Sequence, residues 1–331
     1  MTMWGALAPS MLASDARLPV DLEKTTFVLS DDAAQTRLIN DGRQLNVGVE
    51  RQTHVKLMPP TDESVTTARI GVTDSRVSNQ DDLTRLINAS VWTYSFDRTT
   101  GEATSDATVS SQLASPLETV PVNGVWVKFP TDAQQTTYEV FDPLLRDAIP
   151  AVFEESLEQD GRTIYRYHQD IEPVNVAERY SSVFNTIEVS AAAQSDVSAE
   201  GDVATEEEAG AAEASSKQAY LYHSGTRDYY VDQVTGLIIN VEEDIDDYYG
   251  DASGAKLEQA LLFDGAGSEE QTATLLDQAA QVDDGRVSRI IDYVILGLGL
   301  VLVVVGLLGS FGVLGAQEAR RIRSAAGIAG S

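Results

Sequence analysis

The chain has 331 residues, 43% of them hydrophobic, and a formal net charge of −29. That length is enough for one large or two ordinary domains with a sizeable core, and a field of this sign repels phosphate backbones, so nucleic acid is not an expected partner. The absence of cysteine excludes disulfides, zinc–thiolate sites, iron–sulfur clusters and cysteine nucleophiles.

The first apolar stretch, residues 4–12 (WGALAPSML), is too short to span a bilayer and has no basic region before it. Residues 1–19 therefore read as the remnant of an N-terminal signal or membrane segment, with its beginning missing. From 20 to 254 the pattern changes to short β-like runs separated by turn signals. Candidate strands cover 25–29, 46–57, 64–74, 86–97, 124–129, 137–141, 152–157, 162–170, 219–232 and 236–249. Three turns carry this reading: Asp97 to Gly101, Asp160-Gly161 and Asp232 to Gly236. Each places an Asp that can bond its own backbone near a Gly that tolerates positive φ. In the last arm Leu237, Ile239, Val241 and Ile245 alternate with Asn240, Glu242, Asp244 and Asp246, which predicts one face on a core and one in water. The fold class is mainly β and antiparallel.

Residues 190–216 are Ala, Ser, Gly and acids with no aromatic or basic residue until Lys217. Such a stretch buries too little to offset its ordering entropy, which predicts a disordered acidic insertion. From 255 to 292, Leu257, Leu261, Leu262, Leu275, Leu276, Ala279 and Val282 recur at helical spacing, the pattern of a helical stalk. Residues 293–317 carry no charge, and about 20 residues cross a hydrocarbon core of roughly 30 Å, so this segment predicts one C-terminal transmembrane helix. Gly306 and Ser310 form a small-xxx-small pair within it. The remaining residues, 318–331, read as a cytoplasmic tail with Arg320, Arg321 and Arg323, against Arg286 and Arg289 before the span. The resulting topology is a single-pass cell-membrane protein, or two-pass with a longer N-terminus, whose large domain is extracytoplasmic.

The usual signatures of catalysis are missing. His54, His168 and His223 sit in no HExxH or other ligand spacing, and GxSxG, GxxxxGK[ST] and a strand-to-helix GxGxxG are all absent. The acids Glu242, Glu243, Asp244, Asp246, Asp247 and Asp251 do not follow the calcium-loop order and read as a solvated strand face. The sequence thus assigns no catalytic residue, no metal and no cofactor.

A family resemblance lies in the central strands. Val125-Trp126-Val127-Lys128-Phe129-Pro130, Tyr138, Asp142, Leu145-Arg146, Ile164-Tyr165-Arg166-Tyr167, Ile171-Glu172-Pro173, Tyr230-Val231-Asp232 and Thr235-Gly236 together resemble the actinobacterial PorA-like envelope proteins, which include lipoglycan-maturation membrane proteins of mycobacteria and corynebacteria. The resemblance spans about residues 20–315. It implies an elongated antiparallel β-barrel-like external domain around an apolar cavity, for which Trp92, Trp126, Phe129, Tyr165 and Tyr167 are the candidate lining residues. The function it implies is noncatalytic: binding or handling of lipid or lipid-linked glycan intermediates in envelope lipoglycan biosynthesis, with phospholipid or mannolipid as ligand. The alternatives are a scaffold recruiting envelope biosynthetic enzymes, a porin-like protein, or a hydrolase with an unrecognised carboxylate pair.

Overall fold

A computed structural model describes residues 16–39, 41–77, 85–111, 116–190 and 216–282, together with helical residues 294–298, 300, 301 and 303. The chain divides into two compact units: Ala16–Asp283, and a second that groups Met1–Asp15 with Asp284–Ser331. The apolar N-terminal stretch, the acidic insertion and most of segment 293–317 lie outside the described residues. Among those that are described, no helix is long and apolar enough to cross a membrane.

In the larger unit, alternation of apolar and polar residues sets fifteen strands into one antiparallel sheet. In chain order they are β1 (Thr26–Asp31), β2 (Gln35–Arg37), β3 (Gln44–Asn46), β4 (Val49–Met58), β5 (Val65–Arg76), β6 (Leu86–Asp97), β7 (Ala107–Ser110), β8 (Glu118–Val120), β9 (Tyr138–Asp142), β10 (Asp147–Gln159), β11 (Arg162–Asn175), β12 (Thr186–Ser190), β13 (Ser216–Asp232), β14 (Ile238–Gly250) and β15 (Lys256–Gly267), followed by helix α1 (Glu269–Gln281). The main path runs β8-β7-β6-β5-β4-β1-β15-β14-β13-β11-β10-β9, with β12 on β13 and β2 joining β15 to β3. Among the described residues the ladder does not close. Isolated bridges, Phe96 to Ala103, Glu102 to Val125 and Val125 to Val140, connect β6 to β9 through an irregular segment.

Two expectations change. The 124–129 run is not a strand: only Val125 pairs, as an isolated bridge to β9 (Val125 N to Glu139 O at 2.9 Å), while Phe129 N donates to Gly236 O in a turn at 2.8 Å. Gly101 (φ +76°) and Gly236 (φ +73°) press against the carbonyls of Lys128 and Phe129 so closely that a Cβ on either would collide with backbone. The two Asp-to-Gly turns thus grip this segment as well as reversing strands. Similarly, residues 256–267 are β15 and not the start of a stalk. Leu261 and Phe263 bury at a spacing of two in a strand paired with β14 on one side and with β2 and β1 on the other, and the leucine spacing that suggested a helix straddles this strand.

The helix begins later, where the Ser268 side chain accepts from Gln271 N at the N-cap. It buries Leu275, Leu276 and Ala279. Gln271 and Gln278 serve exposed backbone near β1, their Oε1 atoms each accepting at 2.8 Å from Val28 N and Lys24 N. Inside the sheet, one apolar cluster centres on Trp92, Tyr94, Phe96 and Phe141. A second centres on Phe129, Tyr167 and Tyr229.

Candidate functional site

The inner face of the sheet frames a cavity of about 320 Å³. Phe27, Val55, Val72, Trp92, Val109 and Trp126 supply apolar wall, while Arg37, Arg51, Arg146, Arg227 and His223 face in together with Asp74, Asp142, Glu243 and Asp247. Strand alternation puts these ionic groups there. Arg51 shares the face of Val49 and Val55 on β4, Asp74 that of Ile70 on β5, and Arg227 that of Tyr229 and Val231 on β13. On β14 the period that turns Ile245 inward also turns Glu243 and Asp247 inward. Glu242 and Asp244 remain exposed, as the reading of a solvated face requires, but Glu243 and Asp247 depart from it.

The inward groups form one chain of opposite charges. Asp74 meets Arg51 at 2.8 Å, Arg51 meets Glu243 at 2.5 Å, and Glu243 meets Arg227 at 2.5 Å. Arg227 then meets Asp142 at 3.2 Å, and His223 lies 3.4 Å from Asp142 and 2.5 Å from Asp247. Burial opposes the charges of Glu243, Asp142 and His223, and their partners overcome it. Burial would raise Glu243, yet Arg227 and Arg51 bring it down to about 2. For Asp142, burial is likewise outweighed by His223 and Arg227, which hold it well below the carboxylate range. Burial would lower His223, yet Asp247 and Asp142 push it up to about 10, so at neutral pH it is an imidazolium. Glu243 and Asp142 are therefore anions at neutral pH, each tied to arginine. An acid with a raised pKa, which a carboxylate hydrolase would use as proton donor, is not what these two provide.

Of the residues singled out in the sequence, Trp92 and Trp126 meet edge-on at 5.5 Å in the cavity wall. Phe129 and Tyr167 instead stack at 4.9 Å in the neighbouring cluster, with Tyr138 and Tyr229 packed around them, and Tyr165 meets Phe153 at 5.2 Å. Those three rings fill space and do not line the cavity. What the sequence reading missed is the ionic chain, although its signal was present as strand parity: a charge two residues from a buried Val or Ile faces the same way.

On the outer face, a β-bulge at Phe153/Glu155 puts Glu154 beside His168 and Asp228, with one ligand atom of each within 4.8 Å of the others. Arg166 already pairs with Glu154 at 2.7 Å, Glu155 at 2.7 Å and Asp228 at 3.2 Å, which supplies the cation this group attracts.

Comparison with known proteins places the chain. The family model described as Porin PorA matches residues 1–308. A Porin PorA of Corynebacterium resistens is 24% identical over 319 residues, covering 78% of this chain and 75% of the relative. A Porin PorA of Corynebacterium amycolatum is 26% identical over 258 residues, covering 74% of this chain and 66% of the relative. These names correct the functional expectation, because both relatives are named as porins and neither as a lipid- or lipoglycan-handling protein. With the family model matched over residues 1–308, the chain belongs to the Porin PorA family.

Proposed function

We propose that the protein is a porin-type component of the cell envelope, in which the sheet unit is a vestibule outside the membrane, lined by both apolar and ionised side chains, and segment 293–317 is the crossing element. The observation that carries this reading is the ionised interior: Arg51, Glu243, Arg227 and Asp142 face the cavity, in keeping with the polar lining of pores that pass water and charged solutes. The sheet itself is not the lipid-facing wall. Glu154 and Glu155 on β10, Arg166 on β11 and Glu242 and Asp244 on β14 turn outward, and a transmembrane barrel needs an apolar outer band about 25 Å tall. Isolated bridges connect β6 to the end strand β9, which supports a barrel-like vestibule. One helix cannot enclose a pore, so conduction requires several copies to assemble through the crossing segments, where Gly306 and Ser310 permit close approach.

The test is planar-bilayer recording of the purified full-length protein. Stepwise conductance that changes in size or ion selectivity in Arg227→Gln is expected. Folded protein that inserts into the bilayer and passes no current overturns the reading.

A further inference from the structure

Two strands end the hydrogen-bonded path of the sheet, β8 on one side and β9 on the other. The free edge of β9 is covered, since Val125 N donates to Glu139 O at 2.9 Å and Phe141 N to Val125 O at 2.8 Å. β8 bonds only β7, with Val120, Thr119 and Glu118 opposite Ala107, Thr108 and Val109. Among the described residues, no backbone hydrogen bond joins β8 to β9. Side chains hold this line instead. Val120 and Val122 pack in one apolar cluster with Phe141 and Trp126, and Glu118 Oε2 accepts from Arg146 Nη1 at 2.5 Å. The cavity lies directly behind, lined by Val109, Trp126, Phe141 and Arg146.

The ion pair has the asymmetry of a catch. Arg146, in the turn after β9, is mostly buried with its guanidinium carbon 3.5 Å from the centre of the Tyr180 ring, whereas the Glu118 side chain is 44% exposed. Arg146 also holds φ +54°, a left-handed conformation that a non-glycine residue keeps only when its surroundings impose it. Asp142 imposes it: Oδ1 accepts from Leu144 N at 2.8 Å and Leu145 N at 2.7 Å, closing the turn that presents the arginine. Release moves Glu118 into water and leaves Arg146 on its ring, so no buried carboxylate is stranded.

The part that would move is small. β7 meets β6 at Ser110, Val109 and Thr108 only, and β8 follows it. Short elements bonded along one edge are the first to open in a folded protein. We infer that the line between β8 and β9 is a lateral gate of the cavity, with the Glu118–Arg146 ion pair as its latch and the β7–β8 hairpin as its leaf. Opening breaks one ion pair and apolar contacts, and no backbone hydrogen bond between the end strands. The gate rests on the sheet alone and stands whether or not the protein conducts.

The experiment uses the full chain in detergent and the rate at which a maleimide modifies single introduced thiols. The chain has no cysteine, so each reports alone. Val109→Cys reads the leaf, where Val109 is 1% exposed. Val231→Cys is the control, because Val231 is 0% exposed on a strand bonded along both edges, opposite Tyr165 and Ile238. The thiol of Val109→Cys is expected to react faster, and adding Glu118→Gln is expected to speed it about threefold, the effect of losing a half-exposed ion pair, with no change at the control. Equal rates at the two positions, a rate at Val109→Cys indifferent to Glu118→Gln, or the same acceleration at both positions overturns the gate; the last outcome means global unfolding. If Glu118→Gln does not fold, added salt replaces it, since salt screens an exposed pair, and the same comparison decides.

Discussion

Arg227 and Tyr229 stand two residues apart on one face of β13, and their surroundings differ sharply. Around Tyr229 the interior is filled by rings, with Phe129 centred 5.6 Å away and Tyr167 stacked on Phe129. Around Arg227 the space is held by Glu243, Asp142 and Gln169 beside an open cavity. Dispersion needs only a filled shape and tolerates small errors in it. An ionic chain needs every partner, because a buried charge whose counter-ion is removed keeps its desolvation penalty. The same strand thus carries a forgiving region and an unforgiving one.

The sharpest way to break this contrast is Arg227→Met. It leaves Asp142 and Glu243 buried with fewer positive partners, and a loss of about 3–5 kcal/mol is expected from urea unfolding followed by tryptophan fluorescence. Adding Asp142→Asn and Glu243→Gln to the same chain is expected to recover part of that loss, since neutral amides remove the stranded charges. If the triple variant is less stable than Arg227→Met, the penalty lies in packing and the contrast fails.

How much of this could be read from the sequence differs between the same two regions. The strand that opens at Leu86, the hairpin Asp160-Gly161 and the alternation of β14 were legible because period-2 burial and Asp–Gly turns are local signals. The path of Val125 to Pro130 was not, because its apolar content matches a strand while its course is set by close packing on Gly101 and Gly236, which are distant in sequence. The leucines of β15 imitated a helix because a strand and a helix in succession can share a spacing of four. The ionic chain was half legible: parity placed Glu243 inward with Val241 and Ile245, but its partners Arg51 and Arg227 lie on other strands, and pairing across a sheet depends on register. The cavity-lining rings were assigned by size, and size cannot separate Trp126, which faces the cavity, from Phe129, which fills a core.

A subtler test uses protons. His223 is raised from 6.5 to about 10 because Asp247 and Asp142 outweigh its burial; its stabilisation is complete below pH 6.5 and is lost as pH rises towards 10. Lys128 moves oppositely. It is fully buried, with Nζ donating to Thr99 O at 2.7 Å, and burial lowers it from 10.5 to about 7 against the pull of Asp97. The unfolded chain therefore binds more protons at Lys128 between pH 7 and 10.5, and stability rises with pH across that window. The two slopes, each at most about 1.4 kcal/mol per pH unit, oppose one another from pH 7 to 10. Wild-type stability is expected to be nearly flat there, whereas Lys128→Met should leave the His223 slope and lose stability steadily. Urea midpoints at pH 7, 8 and 9 decide it, and a flat profile in the variant would show that His223 is not the titrating group.

The smallest effect separates the two regions most cleanly. Tyr167 OH donates to Gln134 O at 2.7 Å, and Tyr167→Phe removes that bond while keeping the ring stacked on Phe129, so a loss of about 1 kcal/mol is expected. Tyr229 OH, in contrast, lies 3.4 Å from Arg227 Nη1, at the seam between rings and charges. In double-mutant cycles with Arg227→Met, Tyr167→Phe should be additive to within about 0.5 kcal/mol, because it shares no partner with the arginine. Tyr229→Phe should couple by more than about 0.5 kcal/mol, because its hydroxyl is in direct reach of the ionic chain. Equal coupling at both positions would mean that rings and charges form a single cooperative network, and that the boundary between Arg227 and Tyr229 has no energetic meaning.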